Sequence, residues 1–413
     1  MKEFEKHSII VFTLTMIGHV VNYLFQIVMS RMLDIASFGV LNTVSSFYAI
    51  ISIPAAIILM FVSKYVSEYK VVNMSTNVLI KKTVIFVLLF SVVFLIVGIS
   101  ISGFIKTFLN IYNICLIYII IPAAGFGYIL YIALGGLQGE KKFIAFCIVG
   151  LIIPLTKLFG SIIFILLGLG LNGVIFSFLI GNIIAIFIGF TILKIDFKVP
   201  IGNFSLNGKF KTIQFAWAAL LINIGTNVLT NIDIIMVKRY FSEEITGLYS
   251  VASILGKIII FASSTIIFVL FPYAVEANIK NENRNKILFK SLLYGGGFSI
   301  VCAIGLNILS KYIIILLFGN KYLDSMGYIM PISIWVVLLS YIIIIANYLL
   351  AIDRAKIISY TMIIGCIVSF CLLFIFNSNI KEMIYILAAV SFGILLINII
   401  KITFNDNILV ITK

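Results

Sequence analysis

The chain is 413 residues long, 62% hydrophobic and only 11% charged, with a formal net charge of +14 and a mean hydropathy of +1.23. Soluble domains are about 45–50% apolar and about 25% charged, so a water-soluble enzyme or nucleic-acid-binding domain is excluded. Two histidines, and five cysteines set in apolar runs, also leave no zinc spacing and no disulfide framework.

Runs of about 20 mainly apolar residues predict helices that cross a bilayer. Twelve are expected, at 8–30, 38–63, 83–104, 111–137, 143–167, 171–193, 212–237, 246–271, 287–309, 328–350, 356–376 and 382–402. Span one carries more apolar length and more polar groups than a cleaved leader needs, so it is expected to be retained. The apolar run 312–319 is too short to cross and is assigned to the membrane surface between spans nine and ten. Pro54, Pro122, Pro154 and Pro331 lie in or beside spans and can kink them. Gly135, Gly136 and Gly139 end span four and Gly295, Gly296 and Gly297 lie in span nine, where close packing or a bend is expected. With the N-terminus cytoplasmic, 20 Lys and Arg fall in inner segments and 7 in outer ones. The positive-inside rule therefore places both termini in the cytoplasm. Most of the net charge is then an orientation signal and a contact surface for lipid headgroups, and no nucleic-acid partner is expected.

Two lysines remain, Lys157 and Lys257, each about 13–14 residues into its span and so near the bilayer midplane. A charge there costs at least about 2.5–3.5 kcal/mol and normally faces a bundle interior or a wet cavity. Polar residues share their helix faces. Span seven places Asn223, Thr226, Asn227, Thr230, Asn231 and Asp233 within roughly 160°, and span one places Thr15, His19, Asn22, Gln26 and Ser30 within roughly 80°. Span eight adds Ser250, Ser253, Lys257 and Ser264, and span five adds Gly150, Pro154, Lys157 and Ser161. Two readings stand: the stripes are hydrogen-bond glue between helices, at about 0.6 kcal/mol per contact, or they line a polar cavity.

The chain also repeats. Residues 18–46 and 225–253 align at a shift of 207, pairing Gly18 with Gly225, Gln26 with Asp233 and Arg31 with Lys238; one residue more pairs Ser45 with Ser253. Six spans precede the second copy, so two parallel six-helix halves are expected, 1–205 and 206–413, with a central cavity between them. Asp233 is then expected on the path, in its outer third.

Several segments together resemble a known family: RMLDIASFGVLN at 31–42, NVLTNIDIIMVKRYF at 227–241, TGLYSVA at 246–252, Phe271–Pro272 and LQGEKK at 137–142. Their order over the whole chain is similar to that of polysaccharide exporters of the multidrug/oligosaccharidyl-lipid/polysaccharide superfamily. The likeness is nearest to flippases for O-antigen or capsule repeat units. The resemblance implies an all-α, MATE-like membrane fold. It also implies a transporter, not an enzyme, in the cytoplasmic membrane of a bacterium, moving an undecaprenyl-pyrophosphate-linked oligosaccharide by alternating access. A polymerase and glycosyltransferases of the same pathway are the implied partners, and no cofactor, metal or catalytic residue is implied.

In that setting Lys157 and Lys257 would attract the pyrophosphate, while Asn22, Gln26, Asn223, Asn227, Thr230, Asn231 and Ser253 would replace sugar hydration. Each lysine has a plainer alternative, a structural pair with Asp233 or a carbonyl. Asp233 is a candidate for coupling H+ or Na+, or else forms a salt bridge with Lys257 or Lys238. His19, Arg31 and Lys238 complete the coupling or gating candidates, the last two also fitting simple snorkelling. A multidrug or cation antiporter on the same scaffold and a membrane polymerase or glycosyltransferase are the alternatives. The longest gap between spans is 18 residues, which leaves little room for an enzyme's loops.

Overall fold

Backbone groups in hydrocarbon must find partners within their own segment, so long apolar runs fold as helices. The computed structural model describes residues 2–71, 76–195, 210–280, 284–352 and 354–411, and all their regular structure is helical. Eleven described stretches are long and apolar enough to cross a membrane. Span eight corresponds to a further helix, α10 below. The protein is an all-α, multi-pass membrane protein.

Chain contacts divide it into two units, Met1–Leu206 and Asn207–Lys413. The first unit holds α1 (Lys2–Met32), α2 (Ile35–Ile51), α3 (Ile53–Val71), α4 (Thr76–Ser100), α5 (Ser102–Phe108), α6 (Cys115–Gly139), α7 (Phe143–Leu166) and α8 (Gly170–Leu193). The second holds α9 (Phe210–Tyr240), α10 (Glu243–Lys280), α11 (Arg284–Ser291), α12 (Gly297–Leu317), α13 (Met326–Ala351), α14 (Lys356–Ile375) and α15 (Ile380–Ile411). A π-helical turn, Leu292–Gly296, joins α11 to α12, and a 3-10 turn, Asn320–Ser325, precedes α13.

Three expectations need correction. Span two is not one helix but α2 and α3, broken at Ser52, because Pro54 has no N–H to bond back across the junction. Span three begins earlier, at Thr76, and its helix stops at Ser100, with the short α5 following. The run 312–319 is no separate surface segment: 312–317 are the last turns of α12. Ser310 and Lys311 do not end the helix; the chain turns only at Gly319, whose φ of 99° is left-handed.

In the first unit, α6 is buried along most of its length. A Cβ on Gly139 would stand 2.7 Å from the Ser63 carbonyl oxygen, and one on Gly135 2.9 Å from that of Leu59, so backbone meets backbone where α3 crosses α6. The Ser67 hydroxyl donates to the Gly139 carbonyl at 3.1 Å, and Ala55, Val62 and Val66 of α3 share a core with Tyr128 and Ile132 of α6. In the second unit α9 and α14 also approach closely at a glycine, where a Gly225 Cβ would lie 2.8 Å from the Met362 Cβ. Outward faces stay apolar, as at Phe86, Leu89 and Ile96 of α4 and Val301, Ile304 and Ile308 of α12.

Candidate functional site: two intramembrane lysines

Tyr249, Ser253 and Lys257 recur every fourth residue along α10, so their side chains stack on one face. All three converge on Asp233 of α9. The Tyr249 hydroxyl donates to Oδ2 at 3.1 Å and the Ser253 hydroxyl to the same oxygen at 2.6 Å, while Lys257 Nζ donates to Oδ1 at 3.2 Å. Asp233 is 1% exposed, so its charge is balanced by Lys257 rather than by water. Of the alternatives open for Asp233, the structure forms the salt bridge to Lys257.

Lys238 lies one turn beyond. It does not snorkel: it is 1% exposed and pairs with Glu243 at 3.5 Å. The basic last turn of α9 meets the acidic first turn of α10 across a tight connection, and each charge suits its helix end. The matched Arg31 in the first unit is exposed.

The polar stripe of α9 is satisfied by its own helix. Asn227 Nδ2 donates to the backbone and side-chain oxygens of Asn223 at 3.0 and 2.8 Å. Thr230 donates to the Thr226 carbonyl at 2.7 Å, and Asn231 to that of Asn227 at 2.9 Å. Asp233 apart, none of these side chains bonds to another helix among the described residues. The glue reading therefore holds at Asp233, which ties α9 to α10, and fails for Asn223, Thr226, Asn227, Thr230 and Asn231, which are half-buried rather than enclosed.

Lys157 of α7 is handled differently. Its Nζ lies 3.9 Å from the centroid of the Phe178 ring and 5.7 Å from that of Tyr48. No carboxylate or hydrogen-bond acceptor among the described residues pairs with it. Phe178 is held edge-on by Phe25 and Tyr48, at 5.9 and 5.8 Å between centroids. The buried Asn182 of α8 donates to the Tyr48 hydroxyl at 3.0 Å and to the Ala123 carbonyl at 2.7 Å. Ring quadrupoles stabilise the ammonium without supplying a counter-charge.

On α1, Gln26 follows Phe25, and its Oε1 is buried without a hydrogen-bond partner; the same holds for Ser45 Oγ on α2. These are the positions matched by the repeat to Asp233 and Ser253. Asn22 is exposed and bonds back to the Gly18 carbonyl at 3.2 Å, and His19 is half-buried on the same helix. The structure thus gathers Asp233, Ser253 and Lys257 into one cluster and leaves Lys157 with Tyr48, Phe178 and Asn182, three residues that sequence reasoning missed. Tyr249 was missed too, although its four-residue spacing from Ser253 and Lys257 marks it.

Residues 4–278 match the family described as "Polysaccharide biosynthesis protein". No curated protein sequence matches the chain. Among solved structures the chain is similar to "Lipid II flippase MurJ, inward closed conformation", with a TM-score of 0.74 and 15% identity over 96% of this chain and 87% of that one. It is also similar to an inward-facing multidrug resistance MATE family transporter of the MOP superfamily, at a TM-score of 0.73 and 12% identity over 97% and 99% of the chains. An outward-facing transporter of that kind follows at 0.64 and 14%, over 99% and 97%. At such identities the likeness establishes a shared fold.

Proposed function

We infer function from one premise: the chain belongs to the polysaccharide biosynthesis protein family. On this reading it is a flippase that carries an oligosaccharide linked to undecaprenyl pyrophosphate across a bacterial cytoplasmic membrane, with both termini inside. One observation carries the assignment. Lys157 sits deep in a membrane-spanning helix against two rings and, among the described residues, without a counter-ion, so an incoming anion meets no competing carboxylate. A pyrophosphate is the part of such a lipid that needs this charge, and a lysine meets it as a mobile point charge. The half-buried amides and hydroxyl of Asn223, Asn227, Thr230 and Asn231, with Gln26, supply partners for sugar hydroxyls. Lys257 has no such role in this conformation, because Asp233 already neutralises it.

An exporter of cationic compounds needs an accessible acid, and Asp233 is enclosed and paired. The test is deletion of the gene followed by extraction of membrane lipids. Complete lipid-linked repeat units should accumulate on the inner leaflet, with rescue by the wild type and not by Lys157→Met at equal expression. Normal lipid-linked sugars combined with new sensitivity to cationic drugs would transfer the assignment to the antiporter.

A further inference from the structure

The break between α2 and α3 lies beside Lys157, and three helices hold it. At the break the Ser52 amide donates to the Tyr48 carbonyl at 2.9 Å, and the Ala55 amide turns back to the Ser52 carbonyl at 2.9 Å instead of reaching Ile51. The Ile51 carbonyl would be orphaned, but the Tyr128 hydroxyl of α6 donates to it at 2.6 Å. A side chain thus stands in for the missing helical donor, and the helix is interrupted without an unsatisfied group in the membrane.

The two sides of the break are anchored differently. On the far side, α3 is seated on α6 by the backbone contacts at Gly135 and Gly139, which leave no room for sliding. On the near side, Tyr48 lies in the last turn of α2, which also packs on α6, and the polar and ring contacts of its side chain come from α7 and α8. These are the Lys157 ammonium, the edge of Phe178, and Asn182 Nδ2 on its hydroxyl. Of these only the ammonium is charged, so only it can be drawn away by an anion. The same residue that would take the cargo's phosphate therefore also holds the end of α2.

The geometry points to the α2–α3 junction as a hinge latched by Lys157. When an anion engages the ammonium, the cation leaves the ring faces of Tyr48 and Phe178. Tyr48 loses its charged hold, and α2 swings about Ser52 while α3 stays with α6. Cargo binding is thereby converted into a change in the path of one transmembrane segment, a hinge absorbed by a few residues at an element end. The anion-triggered arm rests on the role given to Lys157 above; the latch itself does not.

The test is hydrogen exchange at the Ser52 and Ala55 amides of the full chain in lipid nanodiscs, with undecaprenyl pyrophosphate as probe and binding followed separately by native mass spectrometry. The probe should speed exchange over residues 48–57 by about tenfold, the size expected from losing one partly desolvated cation–π contact. Lys157→Met should show that faster exchange without probe and no further response to it. Tyr48→Phe, which removes the Asn182 bond, should also speed exchange there while leaving probe binding intact. If Lys157→Met loosens the whole first unit, Tyr48→Phe decides in its place. Exchange at 48–57 left at the wild-type rate by the deciding variant overturns the hinge. Probe that binds without changing wild-type exchange also overturns it, and leaves the flippase reading standing. If Lys157→Met loosens 48–57 selectively but no probe binds, the hinge stands and the anionic-cargo reading falls.

Discussion

Lys157 and Lys257 occupy equivalent depths in their spans, and the two units treat them in opposite ways. In the second unit the ammonium is met by a carboxylate, which is itself held by Tyr249 and Ser253, so the local charge sums to zero. In the first unit the ammonium faces two rings and no acid among the described residues. Both solutions offset the cost of a cation in a low-dielectric setting. A counter-charge cancels the field, whereas a ring quadrupole leaves it. Two lysines that look alike in a sequence are thus a structural cross-link in one place and, on the function proposed above, an anion-attracting centre in the other.

The contrast is broken most forcefully at Lys257. Lys257→Met leaves Asp233 enclosed with two hydroxyl donors and no cation. Removal of one partner of a buried pair costs about 3–5 kcal/mol, so thermal unfolding in detergent should drop by many degrees. The double variant Asp233→Asn with Lys257→Met should recover most of that loss, since no buried charge remains. A double variant as unstable as the single one would show that the two groups do not act as a pair.

Lys157→Met is the opposite experiment. It leaves no charge behind, so global unfolding should hold with only residues 48–57 loosened, while the affinity for undecaprenyl pyrophosphate should fall. A charge-assisted hydrogen bond contributes about 1.5–3 kcal/mol, or roughly 10- to 100-fold in binding. The double variant in the second unit should alter binding far less. Equal losses from both units would return the two lysines to a common role.

These outcomes bear on what the amino-acid order could and could not reveal. Helix positions were legible because length and apolarity alone decide them in a bilayer, and the polar stripes because a period of 3.6 sorts faces without any knowledge of neighbours. Asp233–Lys257 was legible only as one of several pairings, since sequence spacing does not say which face of α10 meets α9. The Phe178–Tyr48 box was not legible at all: an aromatic residue in an apolar run reads the same whether it faces lipid or a lysine. Of the options open for Lys238, snorkelling fails: a basic residue near a span end usually snorkels, but Glu243 on the next helix pairs with it while it is buried. Pro54 marked a possible kink but not a break, because proline is tolerated in membrane helices; the Ala55 amide turning back to Ser52 and the Tyr128 hydroxyl on the Ile51 carbonyl show that the ladder is interrupted there.

The seating of α3 on α6 offers a smaller effect, independent of charge. Gly139→Ala would drive a methyl group against the Ser63 carbonyl and Val66, at 2.7 Å from each. Overpacking of this kind costs about 1–3 kcal/mol, and the loss should appear as faster exchange in α3 with α9 and α10 unchanged. Such a result would place a rigid part of the first unit at the α3–α6 crossing and sharpen the contrast with the Tyr48 end of α2.

The α9 stripe should give the smallest stability effect. If Asn227, Thr230 and Asn231 tied α9 to its neighbours, each substitution to an apolar residue of similar size would remove a contact of about 0.6 kcal/mol. In the structure their bonds stay within α9, to oxygens of residues 223, 226, 227 and 230. The backbone oxygens of 226 and 227 keep their helical partners when the side chains are removed, and the half-buried side-chain oxygens of 223 and 230 are not enclosed, so no buried group is orphaned. Thr230→Val and Asn231→Leu should therefore change unfolding by less than about 0.5 kcal/mol each, as for substitutions away from packed contacts. Flux of lipid-linked oligosaccharide should nevertheless fall, because an amide that bonds only to its own helix keeps its oxygen available to a passing hydroxyl, and a leucine does not. Stability lost in step with flux would mean that the stripe binds helices together; flux lost at constant stability assigns it to the cargo.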